Sequence, residues 1–190
     1  MKNIDELLEN MRWDKPDVIR DNALRELLSI SDSQIPELIR YKDEEAAKVL
    51  LRLGYPRVQN VLGQLLEWLQ DINWPGAQEI AELLVSVGKP VVPFVKEVLS
   101  GNDQVWKYWV LEFLVNRWPV ELVNELKDEI VFLARTTDLF EEVDILAMKV
   151  LCMKKLFPLE RLICLHDGKN GALKSYQMSL DDLGRLLKDH

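Results

Sequence analysis

The sequence predicts an all-α fold, an α-solenoid in which antiparallel helix pairs stack on one another. Along most of the 190 residues, apolar side chains recur at the three- and four-residue spacing of a helix. No stretch as long as a β-strand alternates between apolar and polar residues. Prolines also end successive helical runs at intervals of roughly 30 to 40 residues, the period of a repeat with two helices per unit. A compact, irregular helical bundle is the alternative. The prolines are Pro56, Pro90, Pro119 and Pro158.

We expect a single domain over residues 1–190 with three parts. Residues 1–40 form N-terminal capping helices, residues 43–158 form the repeats, and residues 159–190 form a C-terminal cap. The two end segments are more polar than the middle, as terminal repeats must be because no further unit covers their outer faces.

Within the repeats, each predicted helix has a one-sided apolar stripe that would face its neighbours. The helix predicted from Val105 to Trp118 is apolar over most of its circumference, so we expect it to be covered on two sides. Asp43 and Asp103 stand where helices begin, and their carboxylates are predicted to cap the free N–H groups there. The stripes are, in chain order, Ala46, Val49, Leu50 and Leu53; then Val58, Val61, Leu62, Leu65, Leu66 and Leu69; then Ile80, Leu83, Leu84 and Val87; then Val91, Phe94, Val95 and Val98.

The segment 162–178 is ambiguous. Its runs LICLH and ALKSYQM flank the turn-forming DGKNG, which fits either a small β-hairpin or two short helices. Ser179 and Asp182 then have the spacing of a capping box, which predicts that a helix begins there.

Composition and charge exclude several classes of protein. Disorder is excluded because 48% of the residues are hydrophobic. The net charge is −8, and the densest basic cluster is the pair Lys154 and Lys155, whereas a nucleic-acid binder needs a basic face. The N-terminus lacks the order of a signal peptide, and no apolar run reaches the roughly 18 residues of a membrane span. We expect a soluble, cytoplasmic protein that is a monomer or weak dimer and binds neither nucleic acid nor membrane.

Residue sets for catalysis or metal binding are missing from the sequence. The histidines are His166 and His190, and neither has a partner at the spacing of a metal site or a catalytic triad. Cys152 and Cys164 lie among apolar neighbours and are predicted to be buried, reduced thiols. The glycine-rich stretch 168–171 is too short for a phosphate-binding loop. We therefore expect no cofactor, no metal ion and no enzymatic activity.

Two long motifs resemble a family of uncharacterised bacterial helical domains. They are LLEWLQDINWPGA at 65–77 and GNDQVWKYWVLEFL at 101–114, and the acidic EEVD at 141–144 follows as it does in that family. The similarity extends from Asp43 to Leu156 and implies a HEAT-like fold with no established activity. The sequence departs from the family at Gly76, where an apolar residue is usual, and we expect this glycine to loosen the start of its helix.

Two tryptophans, Trp74 and Trp106, occupy matching loop corners one repeat apart. Each either forms part of an exposed recognition ridge or anchors its loop to the core, with the indole N–H bound to a carbonyl group. The matching positions favour the structural anchor, since a shared position indicates a shared structural role. The candidate binding residues at these corners are Asp71, Asn73, Trp74, Asp103, Trp106 and Tyr108.

These observations favour a non-catalytic module for protein–protein interaction. An acidic surface speeds encounters with a basic partner, and one such pairing is an immunity protein with a secreted bacterial toxin. The alternative is a small-ligand binder or enzyme that uses the Trp74 and Trp106 corners with their nearby aspartate and asparagine side chains, which requires a concave pocket.

Overall fold

Helices account for all the regular secondary structure in residues 3–40, 42–136 and 141–188, the part of the chain that the computed structural model describes. The all-α prediction is therefore confirmed. None of these helices is long and apolar enough to cross a membrane. The α-helices are α1 (Ile4–Met11), α2 (Asp17–Leu28), α3 (Ile35–Leu38), α4 (Glu44–Leu53), α5 (Leu62–Leu66), α6 (Ala77–Val87), α7 (Val92–Ser100), α8 (Gln104–Phe113), α9 (Val120–Asn124), α10 (Lys127–Arg135), α11 (Val143–Met153) and α12 (Leu159–Lys188).

The starts of two helices follow the predicted caps. The Asp43 carboxylate accepts hydrogen bonds from the backbone N–H groups of Glu45 and Ala46 in α4. The Asp103 carboxylate accepts one from the backbone N–H of Trp106 in α8. First-turn N–H groups have no carbonyl partner within their own helix. Both predicted caps are confirmed.

Glycine acts together with proline where helices end. α4 ends at Gly54 and α6 ends at Gly88, with φ angles of 61° and 68°. Positive φ stops a helix and is least costly for glycine. Pro56 and Pro90 follow within two residues, so the helix cannot resume at once.

The helix predicted from Val105 to Trp118 is divided in two. α8 ends at Phe113, and a short 3-10 helix, Val115–Arg117, follows. A 3-10 helix has three residues per turn, so Val115 and Trp118 lie on the same face, and both are buried.

Helices contact one another over long distances in the sequence. α4 contacts α2 and α6, α8 contacts α11, and α7 contacts both α5 and α10. α8 also contacts α7 and the 3-10 helix Glu67–Gln70, in agreement with its expected coverage on two sides. Buried apolar side chains from α1 to α12 form one cluster, which includes Leu50, Leu84 and Leu111. Successive helices therefore share a core.

The ambiguous segment 162–178 lies within the continuous helix α12. The hairpin, the pair of short helices and the capping box at Ser179 are all wrong; the Ser179 hydroxyl donates to the Ser175 carbonyl one turn earlier in the same helix. The turn-like sequence is overridden because Lys169 binds the body of the protein. Its Nζ lies 2.5 Å from Oδ2 of the buried Asp144 and also donates to the Thr136 carbonyl.

Both cysteines are exposed, so the prediction that they are buried is wrong. On α11 the core positions beside Cys152 are taken by Val150 and Leu151, which are fully buried. On α12 the buried position is Leu162, and Cys164 points away from it. Apolar sequence neighbours do not bury a residue that lies on the outer face of its helix.

Gly76 allows the corner before α6 to lie directly on α4. Its φ is 80°, in the left-handed region, and a Cβ atom there would lie 2.4 Å from the Ala47 Cβ and 2.9 Å from the Trp68 ring. The expectation that this glycine loosens the start of α6 is therefore wrong. The corner can pack this closely only because residue 76 has no side chain.

Replacing Gly76 with alanine should destabilise the protein by about 2–4 kcal/mol, because left-handed strain and steric overlap add together. Urea unfolding measures this loss. Gly171→Ala is the matched control, since a Cβ at Gly171 meets no atom within 4 Å, and it should be neutral or slightly stabilising. Equal stabilities for the two variants would contradict the steric explanation.

A two-pronged ion pair joins α6 to the 3-10 helix after α8. The Nη1 and Nη2 atoms of Arg117 each lie 2.7 Å from a carboxylate oxygen of Glu82. These hydrogen bonds, together with the positive charge, lower the pKa of Glu82 from its ordinary value of 4.5. A carboxyl group with a lowered pKa stabilises the fold above its unfolded-state pKa, and this stabilisation is lost as the pH falls through its folded-state pKa.

The variant Glu82→Gln should therefore melt below the wild type at pH 7, and the difference should shrink as the pH falls below about 4.5. We expect the variant to lose less than about 1 kcal/mol of unfolding free energy at pH 7, because both side chains of the ion pair are partly exposed. Thermal melts at pH 7 and pH 3 measure the difference. A deficit of the same size at both values would show that the ion pair is not its cause.

Candidate functional site

Trp106 anchors the corner before α8 to the end of α5. Its indole Nε1–H donates a 3.1 Å hydrogen bond to the carbonyl of Leu66, the last residue of α5. This hydrogen bond links the first turn of α8 to the point where α5 passes into the 3-10 helix Glu67–Gln70. The carbonyl contact predicted for a structural anchor is confirmed at Trp106.

The Trp74 corner is built differently. One Asp71 carboxylate oxygen accepts both the backbone and the side-chain N–H of Asn73, at 2.9 and 3.0 Å, and the Asp71 carbonyl accepts the backbone N–H of Trp74. Asp71 and Asn73 thus hold the turn in shape. The half-buried Trp74 ring has Lys42 Nζ 4.1 Å from its centroid, a cation–π contact.

Tyr108 belongs to a row of aromatic rings along α8. Its ring meets Trp109 edge-on, with centroids 5.1 Å apart, and Trp109 meets Phe113 at 5.7 Å. The six predicted site residues therefore separate into three groups. Asp71, Asn73 and Trp74 form one corner, Asp103 and Trp106 form the other, and Tyr108 packs beside Trp109.

An open cleft of about 480 Å³ lies beside the Trp106 corner, between α5 and the end of α7. Its apolar lining consists of Leu66, Phe94, Val98 and Trp106. Gly63 also contributes, because a Cβ there would lie only 3.1 Å from the Phe94 ring. The two helices approach closely at the base of the cleft, and the aromatic side chains remain half-buried there.

Three carboxylates, those of Glu67, Glu97 and Asp103, surround this apolar surface. All three residues are exposed, and none forms an ion pair with any other residue that the structure describes. Carboxylates beside aromatic rings attract a cation that also has a hydrocarbon part. We call the space lined by these residues the acidic cleft.

Of the residues that line the acidic cleft, Asp103 and Trp106 were predicted from the sequence as candidate binding residues, whereas Glu67, Glu97 and Phe94 were not. A signal was available, since LLEWL at 65–69 and VKEVL at 95–99 put a glutamate at the same place in consecutive units. Each of these glutamates lies beside an apolar stripe. The sequence pattern alone does not distinguish a glutamate that lines a cleft from one that is simply on the surface. Within the described residues, no group of three or more histidine, cysteine, aspartate or glutamate side chains could hold a metal ion.

Residues 22–151 match the protein family described as a domain of unknown function (DUF5071). This range includes every residue that lines the acidic cleft. No curated protein matches the chain.

Replacing Trp106 with phenylalanine keeps most of the ring but removes the hydrogen bond to Leu66, and it should cost about 1 kcal/mol of stability. Trp74→Phe is the control, because the Trp74 ring makes a cation–π contact that phenylalanine partly retains. Denaturant unfolding should therefore show a larger loss for Trp106→Phe than for Trp74→Phe. Equal losses would mean that the indole hydrogen bond adds nothing to stability.

Proposed function

The chain belongs to the DUF5071 family, and we propose that it is a non-catalytic protein-interaction module whose acidic cleft binds a basic segment of a partner protein. One observation carries this proposal: three carboxylates without an ion-pair partner among the described residues line a cleft of about 480 Å³ together with apolar and aromatic side chains. Such a site matches a lysine or arginine side chain, whose hydrocarbon stem packs on aromatic rings while its charged end meets a carboxylate.

We further propose that the helices form a HEAT-like stack with a long surface for a partner. Two features support this. α5, α7 and α10 follow one another as neighbours, and the motifs LLEWL and VKEVL repeat at 65–69 and 95–99 in consecutive units. The cleft lies between two such units, and in stacked repeats the surface between units is where extended ligands bind.

The net charge of −8 also favours a basic partner. Long-range attraction raises the rate of encounter, and the contacts in the cleft then slow dissociation. In its most specific form, the proposal is that this protein neutralises a basic bacterial toxin as an immunity protein does.

A small cationic ligand is the second candidate. The volume of about 480 Å³ falls within the roughly 300–1,000 Å³ typical of small-molecule sites. The small-ligand hypothesis from the sequence used residues at the Trp74 and Trp106 corners, and of these only Asp103 and Trp106 line the cleft. The peptide experiment below separates the two candidates, because a site for a small molecule would select no peptide segment.

The test is selection from a random 12-residue peptide library displayed on phage, with the full chain as bait. The selected peptides should be enriched in lysine and arginine next to apolar residues. They should bind the variant Glu67→Gln/Glu97→Gln at least about tenfold more weakly, because each peptide loses charge-assisted contacts.

The matched control is Glu37→Gln/Glu121→Gln, which removes the same charge from exposed positions outside the cleft lining. This control should keep most of the affinity, since it changes only long-range attraction. Acidic or uncharged selected peptides, or equal weakening by both double variants, would refute the proposal.

A further inference from the structure

α12 extends well beyond the body of the protein. It has 30 residues and is therefore about 45 Å long. Its first part is anchored by the buried Leu162 and by the contact of Lys169 with Asp144. From residue 170 to residue 181 every side chain is exposed. In the second half of α12, the described residues 170–181 therefore do not pack against the rest of the chain.

This exposed half has a regular apolar seam. Leu173, Tyr176 and Leu180 are spaced by three and then four residues and are 55%, 57% and 44% exposed. In the sequence the same spacing continues at Leu183 and Leu187. Alternating steps of three and four apolar residues are the heptad pattern of a coiled coil.

The exposed segment 170–181 is short, and isolated helices below about 12–15 residues are only marginally stable in water. Gly171 and Gly184 lower the helix propensity of α12 further, because glycine costs up to about 1 kcal/mol relative to alanine inside a helix. Packing against another surface is the usual source of stability for such a segment. A narrow seam of heptad spacing is complementary to a second helix with the same spacing.

We propose that the seam of α12 pairs with α12 of a second copy of this chain, as a short antiparallel coiled coil centred on Met178. A two-fold axis at residue 178 places Tyr176 of each helix opposite Leu180 of the other. The same axis places position 173 opposite position 183. The four apolar positions 173, 176, 180 and 183 then each meet an apolar position of the second copy.

Charge favours the antiparallel orientation. The positions that flank the seam, Ala172, Gln177 and Ser179, carry no charge, so like charges do not oppose the pairing of two copies. In the antiparallel pair, the bodies of the two chains lie at opposite ends of the coiled coil. A parallel pair would place these bodies, each from a chain of net charge −8, side by side, where like charges repel.

Sedimentation of the full chain over a range of concentrations tests the pairing. The mass should rise with concentration from 22.1 kDa towards twice that value. Leu173→Glu/Leu180→Glu should raise the dimer dissociation constant at least tenfold and lower the helix content measured by circular dichroism. Ser175→Glu/Met178→Glu adds the same charge away from the seam and should leave the mass unchanged.

A wild-type chain that stays at 22.1 kDa up to millimolar concentration would overturn the proposal. Equal disruption by both double variants would also overturn it, because it would show that charge and not the seam is responsible. The peptides selected by the acidic cleft should bind the Leu173→Glu/Leu180→Glu variant normally. Failure of the coiled coil is therefore distinguishable from failure of the proposed function.

The exposed Cys164 offers a test of orientation. A spin label at Cys164 in a Cys152→Ser background reports the distance between the two copies. The antiparallel pair places the two labels about 40 Å apart, since each lies 14 residues from the axis at a rise of about 1.5 Å per residue. A distance below about 20 Å would show a parallel pair and overturn the proposed arrangement.

Discussion

Two loop corners hold neighbouring helices together, because each corner contacts a helix that lies earlier in the chain. The corner before α6 lies on α4 because Gly76 leaves no Cβ between it and Ala47. The corner before α8 is tied to α5 by the hydrogen bond from Trp106 to the Leu66 carbonyl. Gly76 directly precedes α6, and Trp106 lies in the first turn of α8, so each contact fixes where its helix begins. α7 contacts α5 directly at Gly63, where a Cβ would lie 3.1 Å from the Phe94 ring, and the acidic cleft lies beside that contact.

Some charged side chains form an ion pair with another residue, and others do not. Glu82 is paired with Arg117, and Asp144 is paired with Lys169. By contrast, the cleft carboxylates of Glu67, Glu97 and Asp103 have no ion-pair partner among the described residues. Without such a partner, these three carboxylates gain no ion-pair stabilisation within the described fold, and the proposed cationic segment would supply it.

The two proposed surfaces lie in different parts of the chain. The acidic cleft lies within residues 22–151, which match the family, whereas the seam of α12 lies beyond them. If two chains pair through α12, each dimer presents two acidic clefts at opposite ends. A partner with two basic segments could then bind both, and the second contact would form at a high effective concentration. Pairing and binding would thus reinforce each other without any change in the cleft.

Local patterns in the sequence determined the helical class, the caps at Asp43 and Asp103, and the ends of α4 and α6 near Pro56 and Pro90. These features depend on residues within one or two turns of each other, so the sequence alone was sufficient to predict them. Long-range contacts decided the rest. DGKNG is helical where Lys169 meets Asp144, Gly76 is required because Ala47 lies against it, and Glu67 and Glu97 share a cleft. Each depends on residues 25 to 30 positions or so apart in the chain, whose proximity is fixed only when the helices pack.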